Sequence, residues 1–76
     1  MQVTVTVMLK NGVLDPEGEA VKSALGDLGF SGINGVRQGK ILVLDVDDSI
    51  NVPKVNEMCS QLLVNSVIES YTVEIL

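Results

Sequence analysis

Histidine and tryptophan are absent from these 76 residues, and cysteine, tyrosine and phenylalanine occur once each. Each shortage closes off a class of function. Without histidine there is no Cys/His metal set and no customary base beside a nucleophile, and the lone Cys59 has no partner for an internal disulfide. Five basic residues against ten acidic ones give a net charge of −5. That balance repels a phosphate backbone and leaves no basic patch for nucleic acid. No apolar run approaches the ~20 residues of a membrane-spanning helix, and the N-terminal residues alternate in place of a basic-then-apolar signal peptide. The expected setting is cytoplasmic, with no nucleic-acid and no membrane partner. A chain of this size buries only about 60% of its unfolded surface. With disulfides and Cys/His metal sites excluded, association with another chain is the remaining source of stability.

What is present is a regular alternation of strand and helix signals. Residues 2–10 place Val3, Val5, Val7 and Leu9 on one face and Gln2, Thr4, Thr6, Met8 and Lys10 on the other, a half-buried strand. The stretch Lys10 to Val21 then joins this strand to a helix. Asp15 is suited to N-cap it, Pro16 falls at the first helical position where its missing N–H costs nothing, and Glu17 and Glu19 complement the helix dipole. Gly18 is the odd residue, since an interior glycine costs roughly 0.5–1 kcal/mol relative to alanine. Either another backbone or a partner approaches closely there, or a weak residue is tolerated near a helix start. Val21, Ala24, Leu25 and Leu28 form one helical stripe, and Gly29 is placed to end it in the left-handed conformation.

Gly32, Gly35 and Gly39 interrupt a weak strand signal centred on residues 33–38, which predicts an irregular or bulged strand followed by a tight turn. Residues 40–48 read as strand, with Leu42, Leu44 and Val46 opposed to Ile41, Val43, Asp45 and Asp47. Asp47, Asp48 and Ser49 are turn and cap types ahead of a second helix, in which Pro53 suits the first turn and Val55, Met58, Cys59, Leu62 and Leu63 supply the apolar stripe. Asn65-Ser66 ends it, and residues 67–76 alternate again. The order β-α-β-β-α-β predicts a single ferredoxin-like domain over 1–76, an α/β (α+β) sandwich whose antiparallel sheet carries two helices on one face. The other face is then bare, and Met8, Ile41, Val43, Ile68 and Leu76 form an apolar patch there that favours a homodimer or a tetramer built from two dimers.

Catalytic chemistry is thin. Cys59 lies on the apolar stripe and reads as a small buried hydrophobe. The run Gly35-Val-Arg-Gln-Gly39-Lys40-Ile41 has three residues between its glycines and no Ser or Thr after the lysine, so it is not a phosphate loop. Asp45, Asp47 and Asp48 lack the calcium-loop pattern. Arg37 and Lys40 concentrate positive charge in a glycine-rich segment of an acidic chain. Neither they nor Gly18 has an evident folding role.

The run Leu14-Asp15-Pro16-Glu17-Gly18-Glu19-Ala20-Val21 resembles the hallmark of the small subunit of phosphoribosylformylglycinamidine synthase. Leu28-Gly29-Phe30, Val36-Arg37-Gln38-Gly39-Lys40, Met58-Cys59 and Leu62 to Glu69 continue the likeness nearly end to end, with Ser66 in place of the family's usual proline. The resemblance implies a non-catalytic subunit of a purine-biosynthetic ligase complex. In that complex a glutaminase subunit releases ammonia, and a large synthetase subunit uses ATP and magnesium to amidate formylglycinamide ribonucleotide. No cofactor is then expected on this chain, and no activity from it alone. The densest matching segments nominate Asp15, Pro16, Gly18, Arg37 and Lys40 as partner-interface residues. The alternative is a dimeric ligand-binding regulatory module, an analogy from fold alone. A small enzyme working at a dimer cleft is a third reading.

Overall fold

The structure is a computed structural model that describes residues 1–76. The strict alternation of the first strand signal produces β1 (Gln2–Leu9), which becomes the centre of a three-stranded antiparallel sheet. It is flanked by β2 (Gly39–Asp45) and β3 (Glu69–Ile75) in the order β2-β1-β3. Val5 faces Leu42 on one side and Val73 on the other, so the odd residues of β1 share a face with the even residues of β2 and the odd residues of β3. Val3, Val5 and Val7 on that face are buried, as the alternation requires.

Helix α1 (Pro16–Asp27) follows β1, and α2 (Val52–Met58) follows β2. Asn51 caps α2 by accepting a 3.1 Å hydrogen bond from the Lys54 N–H. The cap therefore falls three residues before the first free donor it serves, and Asp47 and Asp48 stay in the preceding turn, where the Asp47 carbonyl accepts from Ile50 N–H. After Met58 the chain widens into a π-helical turn, Cys59–Leu63, closed by the Val64 N–H donating to the Cys59 carbonyl at 2.9 Å. The extra residue in this turn shifts the phase of the apolar stripe. Cys59 and Val64 go inside with Val55, whereas Leu62 is left 84% exposed. The closed core is these three residues packed on Val3, Val5 and Val7. Burial pushes the Cys59 thiol pKa up, which keeps it in the inert neutral form.

Two features differ from the expectation. The signal at residues 33–38 forms no strand, so the sheet has three strands and the element order is β-α-β-α-β. Its backbone is engaged elsewhere, with the junction before α1. In addition, no Cα of α1 lies within 8 Å of a Cα in any strand or in α2. The predicted stripe is accordingly open, with Val21 and Leu28 exposed. Gly29, with φ +94°, terminates the helix as its composition suggests. The arrangement is an antiparallel sheet with two helices, an α+β chain of ferredoxin-like type, in which α2 covers the sheet and α1 extends from it. The Cα radius of gyration is 15.8 Å and the longest extent 50 Å, against about 11 Å expected of a compact chain this long.

The core location leads to a direct check. Val55→Ala removes two methyl groups from the fully buried contact between α2 and the sheet and should lower unfolding free energy by about 1.5–3 kcal/mol. Val67→Ala, at a residue 80% exposed in the turn before β3, should change it by less than about 0.5 kcal/mol. Urea unfolding midpoints of the two variants measure the difference.

Candidate functional site

The structure gathers Asp15, Pro16, Gly18, Arg37 and Lys40 at one corner, where β1 ends, α1 begins and β2 starts. The corner is built from Asp15. As N-cap it accepts a 2.8 Å hydrogen bond from the Gly18 N–H through Oδ1, and it accepts a second, of 2.7 Å, from the Gln38 N–H through Oδ2. One buried carboxylate thus holds the start of α1 to a segment 23 residues later. Those two backbone donors, first Gln38 and then Gly18, hold the Asp15 pKa below the ordinary value of 3.8 against the opposing effect of burial, and the nearby Arg37 charge helps.

Gly18 is buried because the backbone passes close to it. A Cβ there would run into the Val36 carbonyl oxygen and the Asp15 carboxylate. Close approach, one of the two readings open from the sequence, is therefore the one realised, and the approaching backbone belongs to this same chain. Arg37 completes the clasp. Its Nη1 donates to the Val13 carbonyl at 3.0 Å, and its Nη2 donates to the carbonyls of Leu9 and Lys10 at 3.2 and 3.1 Å. The fork geometry of a guanidinium fits this set of converging carbonyls. Arg37 thus carries a folding role that the sequence did not disclose, and Gly18 carries one that the sequence left open. The backbone partners at Val36 and Gln38 were missed as well, and the only available signal was their place beside Arg37 in a glycine-interrupted segment.

Lys10 ties the corner to the end of the chain. Its N–H donates to the Ile68 carbonyl at 2.8 Å and its Nζ to the Ser66 carbonyl at 2.7 Å. The Lys40 side chain differs from that of Arg37 in making no hydrogen bond or ion pair within the chain, and the residue is exposed. Together with Glu17, Glu69, Pro16 and Leu9 it lines a cleft of about 340 Å³ beside the Asp15 carboxylate. Both Asp15 oxygens are already engaged by backbone donors. No three His, Cys, Asp or Glu side chains are grouped as a metal ion would need. What the corner offers chemically is a shaped, mixed-charge surface on a rigid base, suited to contact with another molecule.

The sheet face away from α2 carries the predicted self-association residues. Ile41 and Val43 are 64% and 59% exposed and lie opposite Thr6 and Thr4 of β1. Met8 is half-buried opposite Gly39. Ile68 lies in the turn one residue before β3, not within that strand.

Comparison with known proteins gives a consistent result. The family described as PurS, phosphoribosylformylglycinamidine (FGAM) synthase, matches residues 2–76. The phosphoribosylformylglycinamidine synthase subunit PurS of Mycobacterium leprae is 43% identical over 72 residues, covering 95% of this chain and 91% of that protein. The Bacillus subtilis subunit of the same name is 43% identical over 77 aligned residues, covering 97% and 90%. Among solved structures, a C2 crystal form of Bacillus subtilis PurS superposes with a TM-score of 0.88 at 41% identity, covering 96% of this chain and 94% of that one. A chain in the Thermotoga maritima PurLQS structure superposes with a TM-score of 0.82 at 32% identity, covering 99% and 95%.

The clasp leads to two expectations about stability. Gly18→Ala gains helix propensity of up to about 1 kcal/mol yet meets the Val36 carbonyl, so its melting temperature should fall, and Arg37→Ala should cost on the order of 1 kcal/mol through three lost carbonyl contacts. Thermal melts by circular dichroism measure both. The lowered Asp15 pKa gives the second expectation. Its stabilisation is fully present above the unfolded value near 3.8 and is lost as pH falls below that value through the lower folded one. Stability measured as a function of pH should therefore drop on acidification below about pH 4 in the unaltered chain, and Asp15→Asn should lack that part of the drop.

Proposed function

The chain belongs to the PurS family of phosphoribosylformylglycinamidine synthase, and on that premise we propose that it is the non-catalytic small subunit of this synthase in de novo purine biosynthesis. In this role it bridges a glutaminase subunit and an ATP-dependent synthetase subunit, which together convert formylglycinamide ribonucleotide, glutamine and ATP to formylglycinamidine ribonucleotide. The observation that carries the reading is the end-to-end match to PurS chains, one of them in a PurLQS structure. The absence of a nucleophile paired with a base supports a subunit that assembles rather than catalyses. ATP and magnesium belong to the synthetase partner, and this chain holds neither. No helix is long and apolar enough to cross a membrane, and the proposed location is the cytoplasm, where the partner subunits and their substrates would be found.

The chain associates with itself as well as with these partners, as a homodimer or a tetramer. The exposed Ile41 and Val43, with Met8 and Ile68 beside them, form one surface for this. The corner at Asp15, Pro16, Gly18, Arg37 and Lys40 is the proposed partner contact, with a division of labour among its members. Asp15, Gly18 and Arg37 shape the corner from within, and Pro16 and Lys40 face outward. The regulatory-module reading is not favoured, since the match extends over the whole chain to a synthase subunit and not to ligand-binding modules.

Reconstitution separates assembly from folding. The pure chain should hydrolyse neither glutamine nor ATP, and adding it to the two partner subunits should restore glutamine-dependent amidation. Lys40→Glu leaves every intramolecular bond of the corner in place and should not shift the melting temperature. It should weaken reconstitution at limiting concentration by about 1 kcal/mol of binding, a several-fold rise in the amount required. Turnover by the pure chain after removal of contaminants would overturn the assembly reading.

A further inference from the structure

An asparagine followed by glycine is prone to lose its side-chain amide, because the glycine, having no Cβ, lets its backbone nitrogen reach the preceding Cγ. The chain contains this pair twice, each time followed by valine, as Asn11-Gly12-Val13 and Asn34-Gly35-Val36. Asn51, Asn56 and Asn65 precede Val52, Glu57 and Ser66 instead. Both asparagines and both glycines are exposed, and a Cβ on either glycine would meet nothing within 4 Å. Neither the triplet nor crowding therefore separates the two sites. Their backbones do.

Asn11 sits in a fastened turn. The Val13 N–H donates to the Lys10 carbonyl at 3.1 Å, and Gly12, with φ +85°, follows a residue whose φ is not positive. This is the pattern of a type II turn, which fixes rotation about the Asn11 Cα–C bond. Arg37 clamps the same turn through the carbonyls of Leu9, Lys10 and Val13, and the Lys10 N–H is bonded to the Ile68 carbonyl. For the Gly12 nitrogen to approach the Asn11 Cγ, that rotation must be freed and these bonds released. Asn34 carries no such restraint. Residues 31–35 lie in no helix or strand and make no backbone hydrogen bond. The chain is fastened before them by the Phe30 N–H on the Leu25 carbonyl, and after them where Val36 lies against Gly18 and Gln38 binds Asp15.

We propose that Asn34 is a site of spontaneous deamidation in this chain, and that the Arg37 clasp protects Asn11 from the same reaction. The Gly35 backbone nitrogen attacks the Asn34 Cγ. A bond forms between those two atoms, the bond from Cγ to the side-chain nitrogen breaks, and ammonia leaves with the proton that the Gly35 amide gives up. Water then opens the resulting cyclic succinimide at either carbonyl. The product is aspartate or, where the backbone now runs through the side-chain carbon, isoaspartate. Either one adds a negative charge to a chain of net charge −5, and isoaspartate also lengthens the backbone by a methylene. Residues 31–35 absorb that length because they hold no hydrogen bonds to lose, and the clasp that begins at Val36 stays closed. The reaction needs only water and this chain, so it stands apart from the subunit role proposed above.

Timed incubation of the full chain at mildly alkaline pH, followed by tryptic digestion and mass spectrometry, tests the assignment. Cleavage after Lys10, Lys22 and Arg37 puts the two sites on separate peptides, residues 11–22 and 23–37. Conversion to aspartate plus isoaspartate, read against an unincubated sample, should run about tenfold faster or more at Asn34 than at Asn11, since the turn must first give up several hydrogen bonds. In concentrated urea, where the clasp is lost, the two rates should converge. A ratio in the folded chain no greater than the ratio in urea would overturn the proposal, because any preference would then belong to the flanking residues and not to the fold. Arg37→Ala unclamps the turn and should raise the Asn11 rate; an unchanged rate there would remove the protective role of the clasp. Gly35→Ala adds a Cβ that meets nothing, at a residue whose φ is not positive, so the fold is kept. It should suppress conversion at Asn34 and leave Asn11 as it was, and undiminished conversion would overturn the succinimide route. The converted chain, separated by anion exchange, should melt at the temperature of the unaltered one, and a clear fall would contradict an unfastened segment at residues 31–35.

Discussion

The Asp15 carboxylate is the constraint on which the rest of the chain depends. An N-cap normally satisfies donors of its own helix and nothing more. Here the second oxygen reaches the Gln38 N–H, so one side chain fixes where α1 starts and where β2 is approached. Because both bonds are to backbone N–H groups and the carboxylate is buried, the charge is stabilised by oriented dipoles in place of water. Gly18 permits the approach and Arg37 locks the opposite side by binding three carbonyls. A rigid corner results, and α1 leaves it in a fixed direction away from the sheet.

That direction accounts for a chain which folds but does not finish its own core. Val3, Val5, Val7, Val55, Cys59 and Val64 form a closed cluster, and the remaining large apolar residues stay partly or fully open. Such a surface is a disadvantage in a solitary protein and a requirement in a subunit. The same corner that directs α1 outward carries Pro16 and Lys40 on its exterior. The residues that fold the corner and those exposed on it are therefore neighbours.

Much of this was legible in the sequence. The alternation of β1 named its buried face, Asp15-Pro16 marked the start of α1, and Gly29 marked its end, because each is a local effect of backbone geometry. Three features were not legible, and all are non-local. The strand signal at residues 33–38 came to nothing because the backbone of Val36 and Gln38 and the Arg37 side chain serve the corner. The π-turn after Met58 moved Leu62 out of a stripe that regular helical spacing had placed inside. Asn51 took the cap of α2 ahead of Asp47 and Asp48, a choice set by where the turn ends. The likeness to a synthase small subunit pointed to residues that the fold brings together at one corner. It did not reveal that Gly18 and Arg37 act within the chain, since a residue that organises a surface and one that contacts a partner leave the same trace in a motif.

Amide hydrogen exchange at Gly18 and Gln38 tests the central claim most directly. These two N–H groups are the donors to the Asp15 carboxylate, and neither bond is part of a sheet ladder or of the regular hydrogen-bonding of α1. If the clasp is the constraint on which the chain depends, both should exchange as slowly as the central amides of β1, opening only with global unfolding. Exchange at either site near the rate of an unstructured peptide, while β1 remains protected, would contradict the account.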